Sequence, residues 1–600
     1  MPYDPRIVGP DTDQAAPDAG TDPGPAPPAR GPAPSGRWLT GLAFAVVGVP
    51  FALAAVRLAT APTAHLYLPD DLALIDLHVR RALAWKQQLG VFDHNNWNHP
   101  GPAFFYLQSL VYRVLGSSGR SLFVGAAVWN GLAALACVAV VRRRTTPARA
   151  LWAALWVTVL VAALAASGPS ATTYSESVLG ALVSPWNPMV VLLPLLLLLL
   201  LCAGAVDRSA PSLVGALVVG SYAVQTDIAT GPLVVALVGV SGAVWAVTAV
   251  RDRRARAAAA ATGPGVVGRP AAGAGVVVGV PGPDRWRTVL VVAGLAAVVV
   301  MWIPPLVQQV TNHPGNLTLV ARFFGAAQPG QPLSGSLWAV AAAMAVLVVG
   351  PSEVMTSILG GTPAHAGLAV AVTLATVGLA AATAVAGVRR RARFAAGLGA
   401  LTLVGYVAAV VAVTHVVGFV FGYLAVWAVV LPAAALVGVG TVPWIPPARI
   451  AAALRVVLCA AAVVAAAVAC IRVADIPPLA RAGDPDVARL AALVSPRIPP
   501  GGRVAVGDAG AGTPDTRLLD TEEFIGLVNA LDRAGFHPTV NAFWRAQFGP
   551  GYLSDGTEPR RVSLATWTAG SESEPGYVGR VGDMAVLVTD RDGAAAPVAG

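Results

Sequence analysis

Two short stretches near the start of the chain carry its most reactive set of side chains. The first, Pro69-Asp70-Asp71, runs on through Asp76, His78, Arg80 and Arg81. Of two adjacent carboxylates, one can accept a proton while the other orients a ligand or cation. His78 follows Asp71 by seven residues and so returns to nearly the same helix face, while Asp76 and Arg80 are spaced to pair. Behind Pro69, Asp70 and Asp71 also suit a helix start, where carboxylates meet free backbone donors and the positive dipole end. A capping and a catalytic reading are both open there. The second stretch, residues 92 to 100, holds Asp93, His94, Asn95, Asn96, Trp97, Asn98 and His99, followed by the turn signal Pro100-Gly101-Pro102. Hydroxyl-rich ligands such as sugars need amide and imidazole groups beside an aromatic face, which Asn96, Trp97, Asn98 and His99 supply. The plainer alternative is a hydrated loop anchored by interfacial aromatics.

The elements that must position these residues are set by composition. A chain of 600 residues that is 56% hydrophobic and 12% charged has too little polar surface to cover one soluble core. Its apolar runs approach the roughly 20 residues that cross a bilayer. Eleven transmembrane helices are expected, at 38–61, 121–141, 149–167, 187–206, 211–229, 231–250, 287–306, 365–388, 395–414, 418–440 and 450–472. The run 337–350 is placed in or on the interface, because a crossing there would put the Arg389 cluster outside. The net charge of +9 sits in clusters at span ends, Arg142–Arg144, Arg251–Arg256 and Arg389–Arg393, so it reads as a topology signal and excludes a nucleic-acid partner. Positive clusters stay cytoplasmic. The N-terminus is then inside, the loop 62–120 outside, and the C-terminus outside.

Residues 1–37, rich in Pro, Gly, Ala and Asp, are expected to be a disordered cytoplasmic tail. The region 38–475 forms the transmembrane domain, with a cytoplasmic linker at 251–286. Residues 476–600 read as a small extracytoplasmic α/β domain, with strands at 503–507, 538–542, 562–567 and 584–589 and a helix at 521–535. The cysteines, Cys137, Cys202, Cys459 and Cys470, all lie in apolar runs without metal-ligand spacing.

Other candidates lie at membrane boundaries. Asp227, beside Gln225, is an ionisable group between two apolar spans. Trp186 and Asn187 stand at an outer boundary, as ligand contacts or as an aromatic anchor. Arg322 in an outer loop could hold a lipid phosphate. His415 and Tyr423 could face the same cavity.

Asp-Asp-x4-Asp-Leu at 70–77, followed by Trp-Asn-His-Pro-Gly-Pro-x-x-Phe-Tyr at 97–106, resembles the first-loop signature of actinobacterial membrane glycosyltransferases of the GT-C superfamily. Further similarity lies in Ser184-Pro185-Trp186-Asn187-Pro188, Gln225-Thr226-Asp227, Trp302-Ile303-Pro304-Pro305 and Pro314-Gly315-Asn316-Leu317. The resemblance covers most of residues 38–430. The span plan also looks like an arabinofuranosyltransferase, with a mannosyltransferase-like enzyme as the other form. The resemblance implies a GT-C-like fold, a polyprenyl-phosphate-linked sugar donor, an inverting transfer, and a catalytic Asp in the first outer loop. It carries the base to Asp71. Relatives often have Gly-Asp at 70–71, Glu at 76 and His at 227, so Asp76 and Asp227 are carried over as supporting acids.

The expected reaction moves one sugar to an envelope glycan, lipid or protein acceptor at the plasma membrane. Asp71 would take the acceptor proton, Asp70 or Asp76 would position it, and His99 or Arg322 would stabilise the departing phosphate. A divalent cation is possible, since an Asp pair suits one. The rival readings are a transporter or flippase of lipid-linked sugars, which would place polar groups at mid-membrane, and a non-catalytic cell-wall assembly protein acting through residues 476–600.

Overall fold

A computed structural model describes residues 34–62, 65–93, 95–166, 179–261, 284–351, 365–444, 446–508 and 521–598. Nearly all of the tail, the middle of the linker and His94 lie outside the described residues.

Helix α1 (Pro34–Ala59) leads to a cap made of α2 (Asp70–Leu83), the hairpin β1 (Phe92–Asp93) and β2 (Trp97–Asn98), and α3 (Ala103–Leu115). The bundle continues with α4 (Arg120–Arg144), α5 (Pro147–Leu164), the short α6 (Asn187–Val190), α7 (Leu192–Val206), α8 (Ala210–Thr226), α9 (Gly231–Ala261) and α10 (Asp284–Thr311). After α11 (Asn316–Gly325) and α12 (Leu333–Val349) come α13 (Ala366–Arg389), α14 (Arg393–Thr414), α15 (Val430–Thr441) and α16 (Ala448–Ala474). Helices close their own backbone hydrogen bonds, which is why long apolar runs adopt them in lipid. Almost every side chain of α7 is buried, whereas α10 turns Val289, Val292, Val299 and Val300 outward, as a lipid-facing helix does.

Among the described residues, nine helices are long and apolar enough to cross a membrane. They coincide with nine of the expected spans. The run 211–229 is a 17-residue helix, because Asp227 ends it and caps a tight turn at Ile228–Thr230. The run 418–440 opens with Gly418 at φ 77° and two single-turn segments, so regular helix begins only at Val430. The linker's described ends, through Ala261 and from Asp284, continue the flanking helices.

The basic clusters gather at one end of the bundle. Arg144 pairs with Asp207 at 3.3 Å and Arg208 with Asp252 at 2.7 Å, while Arg390 donates to Pro443 O at 2.6 Å. Trp152, near the start of α5, donates to Leu436 O at 2.7 Å, and Gly440 lies against its ring, which aligns the α5 start with the end of α15. Helix α12 belongs to the opposite end. The chain enters it at Gln331, whose N–H donates to Thr414 O at 3.0 Å, and leaves at Gly350, beside Ala163 and Ala166. It begins and ends on the same side. The segment 337–350 therefore does not traverse the bundle, and its alanines at 339, 341, 342, 343 and 345 are buried among the helices rather than spread on the surface.

The C-terminal region forms α17 (Pro485–Val494), β3 (Arg503–Asp508), α18 (Thr521–Arg533), β4 (His537–Thr539), β5 (Arg560–Thr566), β6 (Tyr577–Val581) and β7 (Met584–Asp590). The sheet order is β4-β3-β5-β7-β6, with β3 parallel to β4 and β5 and the remaining pairs antiparallel. Strand β6 is additional to those expected from sequence. This layer rests on the cap: Asp484 N donates to Tyr67 O at 2.7 Å, and Asn98 Nδ2 donates to Ala546 O at 3.2 Å.

Candidate active site

Helix α2 starts directly behind Pro69, with Asp70 held at φ 41° and Asp71 in the first turn. A positive φ costs a non-glycine residue local strain, which Asp tolerates better than most. Asp71 Oδ2 accepts a hydrogen bond from Trp186 Nε1 at 2.8 Å. Trp186 is itself buried, its backbone N–H donates to Ser184 Oγ at 3.2 Å, and its ring packs on Tyr423 with centroids 4.9 Å apart. Burial pushes the Asp71 carboxyl above the ordinary carboxylate range; the Trp186 N–H opposes that shift and the Asp93 carboxylate adds to it. The first turn of α18 also approaches. Burial, Asp484 and Asp71 together raise the acid of Glu522.

The next residue after Trp186 extends the group. The Asn187 amide lies 3.1 Å from His99 Nε2, and the backbone N–H of Ile228 donates to His99 Nδ1 at 3.0 Å. Nδ1 accepts, and Asn187 Nδ2 is the amide atom that stands against Nε2, so ring and amide share one hydrogen bond whose direction follows the tautomer. Asp227 builds this arrangement from below: its Oδ1 accepts from Ala229 N at 3.0 Å and so shapes the turn that presents Ile228 N–H. It is buried. Gln225, also buried, donates to Met301 O at 3.0 Å, and a Cβ on Gly90 would come within 2.8 Å of its carbonyl oxygen. This close approach is one reason the loop needs glycine there.

Asp71, His99, Trp186, Asn187, Gln225 and Asp227 are thus brought together, with Trp97 edge-on to His99 at 5.7 Å. The others stand apart. Asp76 has no exposed surface; Arg533, Arg80 and Tyr112 engage it, and together they brace the cap. His78, two turns along α2 from Asp71, lines a separate cavity with Asn96 and Asn98, its ring 5.2 Å from Phe105. Asn98 exchanges two 2.8 Å hydrogen bonds with Asn316, a clamp between β2 and α11. Arg322 is exposed on α11, whose Phe323 and Phe324 pack on Trp97. His415 is exposed and lies 2.8 Å from Val411 O in its own helix. Arg533 and Glu522 were not legible as site residues, because nothing local in their segments marks a partner hundreds of positions away; Asn316 lies in the Pro314–Leu317 motif, but its pairing with Asn98 was not visible there. Among the described residues, no group of three His, Cys, Asp or Glu side chains is gathered closely enough to hold a metal ion.

No protein-family model matches the chain, and no curated protein does. Among solved structures, ArnT from Cupriavidus metallidurans bound to undecaprenyl phosphate covers 92% of this chain and 98% of its own, with a TM-score of 0.52 and 12% identity. The apo state of ArnT from the same organism covers 93% and 99%, with a TM-score of 0.40 and 13% identity. At such identity the likeness is one of fold, and the chain has the fold of the ligand-bound ArnT structure.

Proposed function

We propose that this chain is a membrane glycosyltransferase that takes a sugar from a polyprenyl-phosphate donor and delivers it to an envelope glycan, lipid or protein acceptor outside the cell. The observation that carries the reading is Asp71, held by Trp186 beside His99 and Asn187 at the end of the bundle remote from the basic clusters. If the basic end is cytoplasmic, Asp71 faces outward, where a lipid-linked donor is available and cytosolic nucleotide sugars are not. The fold shared with a protein that binds undecaprenyl phosphate supports the donor class.

In this reading the acceptor oxygen attacks the anomeric carbon and the bond from that carbon to phosphate oxygen breaks. The bonding pair leaves with polyprenyl phosphate, and the acceptor proton passes to Asp71. Displacement in one step inverts the anomeric centre. A base whose acid is raised by burial holds its proton better, which suits this role. Asp70 is left to orient the acceptor, since Asp76 is committed to Arg533. His99, on exchanging its Asn187 partner for a phosphate oxygen, and the exposed Arg322 are the groups offered to the departing phosphate. If a divalent cation takes part, Asp70 and Asp71 are the groups to hold it, and it would supply charge neutralisation at the phosphate.

Mass analysis of envelope glycans from cells with and without the gene tests the proposal. Loss of one sugar linkage is expected; an unchanged glycan profile would contradict it.

A further inference from the structure

A cavity of about 470 Å³ lies between the end of α2, the hairpin β1–β2, the connection from α10 to α11, and residues 542–550 of the C-terminal layer. It is distinct from the Asp71 group. Asn96, in the hairpin turn at φ 63°, and Asn98 on β2 line the cavity, while Trp97 contacts Phe323 and Phe324 and His99 turns to Asn187.

The lining has a consistent chemistry. Arg81, Lys86 and Arg545 contribute to it, none of them in an ion pair among the described residues, and no Asp or Glu does. Eight Asn and Gln side chains add neutral donors and acceptors. The buried ring of His78 is met by the Gln87 side chain and the Gln547 backbone, whereas Gln547 is itself buried with Oε1 making no hydrogen bond. Buried polar atoms left this way are uncommon in folded proteins and call for a partner. Arg81 is held in place, its Nε donating to Gln87 Oε1 at 3.1 Å and its guanidinium lying 5.7 Å from the Tyr552 ring centre, with donors to spare. Phe543 stands at the cavity 73% exposed, an aromatic face open to solvent. Burial and the Arg81 charge hold His78 down to about 3, so it faces the cavity as a neutral ring at ordinary pH.

Unpaired guanidinium and ammonium groups select an anion. Amides in this number, beside an exposed aromatic face, suit a hydroxyl-rich body. We infer that this cavity binds an anionic saccharide, a glycan segment bearing phosphate or carboxylate, and holds the acceptor away from its reacting end. The saccharide site stands on the cavity itself, and its role in presenting an acceptor rests on the proposed transferase activity.

The test is binding to the full chain in nanodiscs, using mannopentaose 6-phosphate and neutral mannopentaose as probes. The phosphorylated probe is expected to bind at least about tenfold more tightly, with an affinity that falls as salt is raised. Lys86→Glu and Arg545→Glu, both at exposed positions, are each expected to weaken it about tenfold without moving the unfolding midpoint. Asp71→Asn should bind as the wild type does. Equal affinity for the two probes, no effect of either reversal, or displacement by farnesyl phosphate would overturn the inference, the last by assigning the cavity to the donor lipid's phosphate. Normal transfer by Asp71→Asn would instead defeat the catalytic reading and leave this site standing.

Discussion

Arg533 closes on both carboxylate oxygens of Asp76, a residue 457 positions earlier. This contact joins the last turn of α18 to the middle of α2. Arg80 lies 3.5 Å from the same carboxylate and also pairs with Asp532, and Tyr112 donates to it from α3. The helix whose first turn carries Asp71 is thereby fastened to the C-terminal layer along its length. A charge with no exposed surface is tolerable only with such a set of partners.

Removing one partner leaves the other charge buried and unpaired. Asp76→Asn and Arg533→Met are each expected to destabilise the protein by roughly 3–5 kcal/mol, and the double variant by less than their sum. Unfolding midpoints in detergent measure this. Additive losses, or unchanged midpoints, would show that the pair does not hold the layer.

The same site sets an acid limit. Burial alone would raise the Asp76 acid, but the charges of Arg533 and Arg80 and the Tyr112 hydroxyl outweigh it and hold it below the ordinary carboxylate range. The folded value lies below the unfolded one, so its stabilisation is present above the unfolded value and is lost as pH falls through the folded one. Midpoints of the wild type and Asp76→Asn should converge only at strongly acidic pH. Convergence already near neutrality would contradict the shift.

Asp71 has the opposite sign. Its folded acid is raised by burial, so ionisation costs stability at neutral pH and the cost fades as pH falls through the raised value. Asp71→Asn keeps an oxygen for the Trp186 N–H and removes the charge. Its unfolding midpoint at neutral pH should equal or exceed that of the wild type. A clear drop would mean that the carboxylate is a structural anchor.

Trp186 acts through Asp71. Trp186→Phe removes the 2.8 Å donor, so the Asp71 acid should rise further and the acidic limb of the pH–activity profile should move up by about one unit. Activity should recover at alkaline pH. A uniform loss across pH would reduce Trp186 to packing.

How much of this was legible in the sequence depended on distance along the chain. Pro69-Asp70-Asp71 announced a helix start with paired carboxylates, and Trp186-Asn187 announced a boundary; both readings needed only neighbouring residues. Asp227 was legible as an ionisable group between two apolar spans, but its burial and its work, shaping the turn that fixes His99 through Ile228 N–H, depend on a contact between residues 129 positions apart. Asp76 resembled a member of an acidic cluster because Arg533 could not be seen to approach. Strand β6 escaped notice because Tyr577 to Val581 contains Gly579 at an irregularity in pairing, which breaks the alternation that marks a strand.

The measurement that bears most directly on the central claim is the rate of sugar transfer by purified protein in nanodiscs, supplied with a polyprenyl-phosphate-linked sugar and an acceptor glycan. Asp71→Asn is expected to fold as the wild type does and to lose transfer by about 10²–10⁴-fold. A variant that transfers within twofold of the wild type would contradict the account.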